Sequence, residues 1–495
     1  VQLSDWTTWP VLAAATWVVV DLSMRFVALG VIPGRRKPST GMAWLLLVLL
    51  NPVIGLLGFS FFGTNRVGRR RHDKIAQVNE LIRSRTEDVP EPATASHFRP
   101  AVHGTVALNR QLGALPLLAD NTIRFEPDYT AALAAMTRRV EAAQHYVDVE
   151  FYIAALDDET RPFFTALADA VQRGVTVRFL FDHIGSRGIP GHEHMVKFLD
   201  EAGIDWHAML PIKPLKGKFR RPDLRNHRKL VVVDGQVGFT GSLNLTEPGY
   251  NKPKNHKAGR KWVELVVELE GPAVASLEAV FASDWWVETD EVLHVRHQGA
   301  TGQVAALDGA ISEVTTQLVP SGPGYPTDNT LRLFTSLMYA AERRLSITSP
   351  YFVPDESLLY AVTTAAQRGV EVELFVCEQA DQFMVGHAQA SYYRELLEAG
   401  VRIHLYPKPY VLHSKHFSVD DDVAVIGSSN MDPRSFALNY ELSLVLFDDR
   451  AVTAMRGVED TYRELSRELT LAAWESRPRR QKYLDNVFRL TSALQ

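Results

Sequence analysis

Asn226-His227-Arg228-Lys229-Leu-Val-Val-Val-Asp234, with Gly241-Ser242-Leu243-Asn244 behind it, returns 186 residues later as His413-Ser414-Lys415-His-Phe-Ser-Val-Asp420 and Gly427-Ser428-Ser429-Asn430. Both copies fit H-x-K-x(4)-D-x(6)-G-S-x-N without a gap. A lone His-x-Lys in a strand is ordinarily a half-exposed surface pair. Two gap-free copies of a pattern with six fixed positions are not a coincidence. If each run is a strand, side chains alternate between its faces, so His227 and Lys229 share one face, as do His413 and Lys415. Gly241 and Gly427 mark tight turns that aim Ser242, Asn244, Ser428 and Asn430 back at the same point.

The flanks repeat too. Gln172-Arg-Gly-Val175 before a β-rich run matches Gln367-Arg-Gly-Val370, and Glu201-Ala-Gly203 matches Glu398-Ala-Gly400. The order is kept at offsets of 195, 197 and 186 residues, which internal duplication explains most simply. From about residue 123, short apolar runs alternate with amphipathic helical stretches, the pattern of an α/β protein. The spacing predicts strands over 146–152 and 175–181 with a helix over 162–173 between them.

Two imidazoles with two ammonium groups suit a phosphodiester. A neutral histidine attacks phosphorus, giving a phosphohistidine, while a protonated one donates to the departing alkoxide and then deprotonates the incoming alcohol. Lysines and asparagines stabilise the non-bridging oxygens as charge builds. The scheme needs neither metal nor cofactor. His192-Glu-His194 lacks further ligands at a recognisable spacing and reads as a solvent loop.

On these residues the chain resembles the phospholipase D superfamily and, within it, the bacterial cardiolipin synthases. Asn430-Met-Asp-Pro-Arg-Ser435, a two-span N-terminal anchor and a closing segment rich in Arg and Leu point to the narrower group. The resemblance implies two homologous α/β/α sandwich domains related by pseudo-two-fold symmetry, at 121–300 and 301–495. It implies that Asp234 and Asp420 support their strands, and that a carboxylate further along each repeat orients an imidazole. Glu441 in Asn439-Tyr-Glu441 and Glu264 in Trp262-Val-Glu264 match those carboxylates, although many synthases carry Asp at the first. It also implies transfer of a phosphatidyl group from one phosphatidylglycerol to the headgroup hydroxyl of another, releasing glycerol. The first-half histidine is commonly the nucleophile in that family, but the pseudo-symmetric sequence does not distinguish His227 from His413. Hydrolysis, or transfer with another lipid donor or acceptor, is the alternative outcome. Exchange of one glycerol ester for another needs no nucleotide, and no P-loop or dinucleotide fingerprint is present.

At 495 residues, 46% hydrophobic and 22% charged, the chain is a folded protein of two or more domains, and a net charge of −5 names no partner. A single cysteine, Cys377, excludes an internal disulfide and a thiolate metal cluster, and sits in an apolar run as a core residue. The first 65 residues differ. Residues 41–62 carry no charge, and residues 9–32 are apolar but for Asp21 and Arg25, one helical turn apart. The expectation is a two-helix transmembrane hairpin at 1–65, with a juxtamembrane linker over 66–120. A second apolar span so close behind the first disfavours a signal peptide. Arg66, Arg69, Arg70, Arg71 and Lys74 follow the anchor, and Arg35, Arg36 and Lys37 lie inside it. The positive-inside rule narrowly favours a multi-pass cell-membrane protein with cytoplasmic catalytic domains.

Two basic clusters flank the first motif: Lys213, Lys216, Lys218, Arg220, Arg221, Arg225, Arg228 and Lys229, then Lys252, Lys254, Lys257, Arg260 and Lys261. They are expected to gather anionic phospholipid headgroups at the membrane. Nucleic acid would be drawn by the same charge, but a membrane-anchored chain searches DNA poorly, so no nucleic-acid partner is expected. Homo-oligomerisation is left open.

Overall fold

The structure, a computed structural model, describes residues 8–34, 38–63, 68–212, 221–293 and 309–492. It divides into two compact units, Val1–Arg66 and Val67–Gln495.

In the first unit one helix, Thr8–Val31, contains a stretch long and apolar enough to cross a membrane, Trp9–Val31. The second apolar stretch departs from expectation. It is two helices, Pro38–Leu50 and Pro52–Phe62, of 13 and 11 residues, and neither reaches the roughly 20 residues a span requires. Asn51 causes the break: it is extended, and its side-chain oxygen accepts from the Ile54 amide at 3.0 Å, capping the second helix with Pro52 in its first turn. The two short helices pack on each other. Trp44 meets Phe59 edge to face at 5.6 Å, and Gly55 lies so close to Val48 that a Cβ there would collide with its backbone. Arg25 pairs with Asp21 at 2.6 Å and also donates to the Leu49 carbonyl, one of those left open where the first short helix stops.

The second unit is built on one continuous mixed sheet. Across it the strands run Asp205–Met209, Thr176–Asp182, Tyr146–Phe151, Lys229–Val233, Val237–Gly241, Val266–Glu270, Leu117–Glu126, Ile311–Ser321, Asn439–Phe447, Val423–Gly427, His416–Val419, Arg344–Thr348, Glu371–Cys377, Arg402–Tyr406 and Arg467–Leu469. Leu117–Glu126 and Ile311–Ser321 pair antiparallel and join the two halves of that order. Each half holds parallel strands at its outer side (Tyr146–Phe151 with Thr176–Asp182; Arg344–Thr348 with Glu371–Cys377) and an antiparallel strand from its motif beside them. The predicted helix at 162–173 and strand at 175–181 are found at Arg161–Gln172 and Thr176–Asp182.

Period-two alternation sorts the motif strand between two layers. Val231 and Val233 face helices Tyr129–Ala142 and Arg161–Gln172 in one core. Leu230 and Val232 face helix Val274–Thr289 in another, which continues under Ile426, Leu444 and helix Asp449–Leu465 of the second half. The result is a three-layer α/β/α arrangement whose second core is common to both halves.

The described residues between 68 and 120 do not behave as a linker. Helix Arg69–Arg85 is tied to the unit by Arg71–Glu288 and Lys74–Asp290 ion pairs, and helix Pro100–Gly113 buries Val102 and Val106. Charge pairing and apolar burial override the polar composition that suggested a tether.

Candidate active site

Neither motif histidine lies on its strand as the period-two reading required. The strands begin at Lys229 and His416, and His227 and His413 sit in the bends just before them. The reason is that each chain segment pairs first with the opposite half. Arg225–Asn226 runs parallel to Asn439–Tyr440, so the His227 amide donates to the Tyr440 carbonyl at 2.9 Å. Val411–Leu412 runs parallel to Trp262–Val263, so the His413 amide donates to the Val263 carbonyl at 2.8 Å. One residue beyond each accepting carbonyl stands a glutamate.

The pairing therefore crosses between halves. His227 Nδ1 lies 3.0 Å from both carboxylate oxygens of Glu441, and His413 Nδ1 lies 2.8 and 2.9 Å from those of Glu264. Each ring thus turns Nδ1 to a carboxylate and its other nitrogen, Nε2, away from it. The Ser242 hydroxyl donates to Glu264 and the Ser428 hydroxyl to Glu441, so the serines orient the glutamates. Lys229 donates to the His227 carbonyl and Lys415 to the His413 carbonyl. A Cβ at Gly241 or Gly427 would strike the Leu265 or Leu442 carbonyl, which is why the turn before each serine is glycine.

All these groups are buried, and burial dominates their proton affinities. His227 is held well below the ordinary imidazole value, first by desolvation and then by Lys229, Lys415 and His413. His413 is lowered by desolvation, with Glu264 acting in opposition. Desolvation brings Lys229 down to about 7 and Lys415 to about 8. It pushes Glu441 up to about 7, against Lys229 and Ser428. For Glu264 burial is outweighed by His413 and Lys415, and its value falls. The lysine of each half acts on the imidazole of the other, so the four basic groups share one site.

Asp234 and Asp420 point elsewhere. Asp234 accepts from the amides of Gln144, His145 and Tyr146, and Asp420 from those of Glu342, Arg343 and Arg344. Both anchor the far end of the motif strand, and neither belongs with the reacting groups. Asn244 donates to the Tyr250 hydroxyl at 2.7 Å and accepts from the Ile153 amide, whereas the Asn430 side-chain oxygen is buried without a partner. The first basic cluster is also corrected. Arg225 pairs with Asp182 and Arg228 with Asp284 in the interior, where solvation would be lost without a counter-charge, and Arg221 pairs with Asp223. Lys213, Lys216, Lys218 and Arg220 lie outside the described residues. Lys254, Lys257 and Lys261 of the second cluster are exposed. His192 and His194 open helix His192–Glu201 and lie in no loop.

Tyr152 escaped the sequence reading. Its ring meets His227 edge to face at 4.8 Å, and the Lys229 ammonium lies 5.4 Å from its centroid. Its one sequence signal was position: Tyr152 directly follows the last residue of strand Tyr146–Phe151.

Paired imidazoles and lysines at the meeting of two half-sheets define a phospholipase D-type enzyme, one that works on phosphodiesters. The family described as cardiolipin synthase, PLD-like domain, matches residues 136–285 and 334–460. Cardiolipin synthase A of Proteus mirabilis is 30% identical over 486 residues, covering 97% of this chain and 98% of its own length. That of Serratia proteamaculans is 32% identical over 490 residues, with the same coverage. The chain belongs to the cardiolipin synthase family. Its fold resembles that of phosphatidylserine synthase from Haemophilus influenzae, with a TM-score of 0.60 at 15% identity, over 79% of this chain and 99% of that one.

Proposed function

We propose that the protein makes cardiolipin by moving a phosphatidyl group from one phosphatidylglycerol to the headgroup hydroxyl of another. The crossed pairs His227–Glu441 and His413–Glu264 carry this reading. His227, with the stronger depression, is the neutral nucleophile: Nε2 attacks phosphorus, the P–N bond forms, and the P–O bond to glycerol breaks. His413, whose protonated form the ionised Glu264 favours against the larger effect of desolvation, gives its proton to the departing glycerol oxygen. It then takes the proton of the second phosphatidylglycerol hydroxyl, whose oxygen attacks phosphorus as the P–N bond breaks. Lys229, Lys415 and Asn430 hold the non-bridging oxygens. Asn244 aligns Tyr250, while Ser242, Ser428, Asp234 and Asp420 hold the frame.

The two halves, 121–300 and 301–495, are read as homologous domains about a pseudo-two-fold axis through the site. Matching strand order, matching glutamate–serine bonds and matching aspartate anchors support this. We place the protein in the cell membrane by a single crossing at Trp9–Val31, with Pro38–Leu50 and Pro52–Phe62 entering and returning on one side. The basic residues at 35–37 and at 66–74 then fall on the same side, which strengthens the positive-inside argument for a cytoplasmic catalytic unit.

Purified protein in detergent, given phosphatidylglycerol alone, should yield cardiolipin and glycerol in equal amounts. Phosphatidic acid with glycerol would make it a hydrolase. Cardiolipin that forms only after phosphatidylethanolamine is added would assign a different partner lipid.

A further inference from the structure

Exposed apolar side chains of the second unit are concentrated in one place. Among the described residues thirteen large hydrophobic ones there are exposed, and five of them, Phe383, Met384, Tyr483, Val487 and Leu490, lie on or at the end of two helices, Phe383–Ala390 and Arg479–Arg489. The helices pack against each other: Phe488 stacks on His387 at 5.5 Å and meets Phe383 edge to face at 5.5 Å. Asp485 is buried between them, paired with His387 at 2.7 Å and Arg477 at 2.9 Å.

The second helix has its inward face at Asp485 and Phe488, so a surface helix would carry polar residues opposite. It does not. Tyr483, Val487 and Leu490 follow at spacings of four and three and form an apolar stripe turned to the outside, with Tyr483 69% and Leu490 85% exposed. Phe383, 65% exposed, extends that stripe onto the neighbouring helix. Arg479 and Arg480 are exposed at the helix start, and the helix's one acid, Asp485, is already neutralised inside. Aromatic and aliphatic side chains with unopposed arginines are the composition of a helix that lies in a bilayer interface.

A hydrogen-bonded chain runs inward from the patch. Gln382, just before the first helix, donates to the Tyr351 hydroxyl at 3.1 Å, and that hydroxyl donates to Asp381 at 2.9 Å. The Asp381 charge acts on Tyr250, the partner of Asn244.

We propose that the face made by Phe383–Ala390 and Arg479–Arg489 beds into an anionic phospholipid surface, holding the mouth of the site against the bilayer from which both substrates come. This rests on the reading that the substrates are membrane phospholipids, and the test separates the two. The full chain is reconstituted into vesicles of phosphatidylglycerol and phosphatidylcholine. An environment-sensitive fluorophore is placed on Met384→Cys, on Leu490→Cys, or on Tyr339→Cys, at the end of helix Asn329–Ala340, as a control. Native Cys377 is buried, its thiol pushed up to about 12 by desolvation, and does not compete for the label. Fluorescence at 384 and 490 should brighten, shift to the blue and be quenched by spin-labelled lipid, while 339 stays as in detergent. Arg479→Glu with Arg480→Glu should reverse the shift in these vesicles. Labels at 384 and 490 that remain in water overturn the proposal, whatever the enzyme makes. Self-quenching that rises with protein density, without lipid quenching, overturns it in favour of a contact between copies. Lipid burial of both labels in a chain that forms no cardiolipin would uphold the surface and sink the reaction.

Discussion

The two histidine centres have one hydrogen-bond plan and two electrostatic states. Each imidazole takes a glutamate from the opposite half, each glutamate takes a serine hydroxyl from its own half, and each lysine caps the carbonyl of its histidine. Yet Glu441 is pushed up to about 7 while Glu264 is lowered. Both carboxylates are buried, so the difference lies in their neighbours: Glu264 is held down chiefly by His413 and Lys415, whereas for Glu441 desolvation outweighs Lys229 and Ser428. Duplication supplies the geometry, and the charges around each carboxylate set the two centres apart. A reaction that needs one neutral and one protonated imidazole requires that division.

The largest effects should erase the comparison altogether. His227→Ala and His413→Ala should each lower cardiolipin formation by about 10⁴-fold or more, because groups acting as one unit fail together. Both variants should still insert and express normally. Rapid alkaline denaturation with phosphorus-labelled phosphatidylglycerol, which spares the acid-labile P–N bond, separates them further: a labelled enzyme should accumulate transiently in the native chain and be absent in His227→Ala. Its persistence in that variant would move the nucleophile to His413.

Next come the glutamates. Glu264→Gln should cost roughly 100-fold and Glu441→Gln about 10-fold, since only Glu264 is firmly anionic at neutral pH. Equal losses would show that the electrostatic asymmetry has no chemical consequence. The pH profile of kcat/KM sharpens the same point. The acid limb reports protonation of His227, whose affinity is depressed, so it should lie below the ordinary ~6.5. The alkaline limb should begin with loss of the His413 proton and deepen between about 7 and about 8, as Lys229 and Lys415 lose the charge that holds the phosphate. Glu264 leads the upward influences on His413 and Lys415, and Glu441 those on Lys229, so Glu264→Gln should move the start of that limb to lower pH and Glu441→Gln its Lys229 portion. A flat profile from roughly pH 5 to 9 would leave no room for two imidazoles in opposite states.

Much of this was legible in the chain. The two motif copies give both imidazoles of the crossed pairs, because fixed spacing survives whatever the loops do, and the resemblance to the family gave the two carboxylates. Three things were hidden. That His227 and His413 leave the strand follows from pairing with the opposite half, a tertiary fact that period-two reasoning cannot see. Arg225 and Arg228 look like surface charge in sequence, since nothing local tells of Asp182 and Asp284 waiting in the interior. The break at Asn51 was half-visible. A proline at 52 disturbs any helix that runs through it, but the cap that makes two helices of one depends on one side-chain bond, and Arg25 comes from another helix to satisfy the end.

The smallest expected effect tests how far the likeness between the halves extends below the imidazoles. Asp234 and Asp420 each gather three consecutive backbone amides, so Asp→Asn at either position weakens charge-assisted bonds without emptying the site. Each should cost about 1–3 kcal/mol in thermal or chemical unfolding and leave the limbs of the pH profile in place. They should not be equal. Asp420 also meets the Arg99 guanidinium at 2.8 Å, and Asp234 has no such ion pair among the described residues. Arg99 is partly exposed, so that contact adds only about 0.5–1 kcal/mol to Asp420→Asn. Adding Arg99→Gln should erase the excess, since the pair then no longer exists to be lost. If the gap persists in the double variant, the difference lies in the turns themselves, and the two frames are less alike than their hydrogen bonds imply.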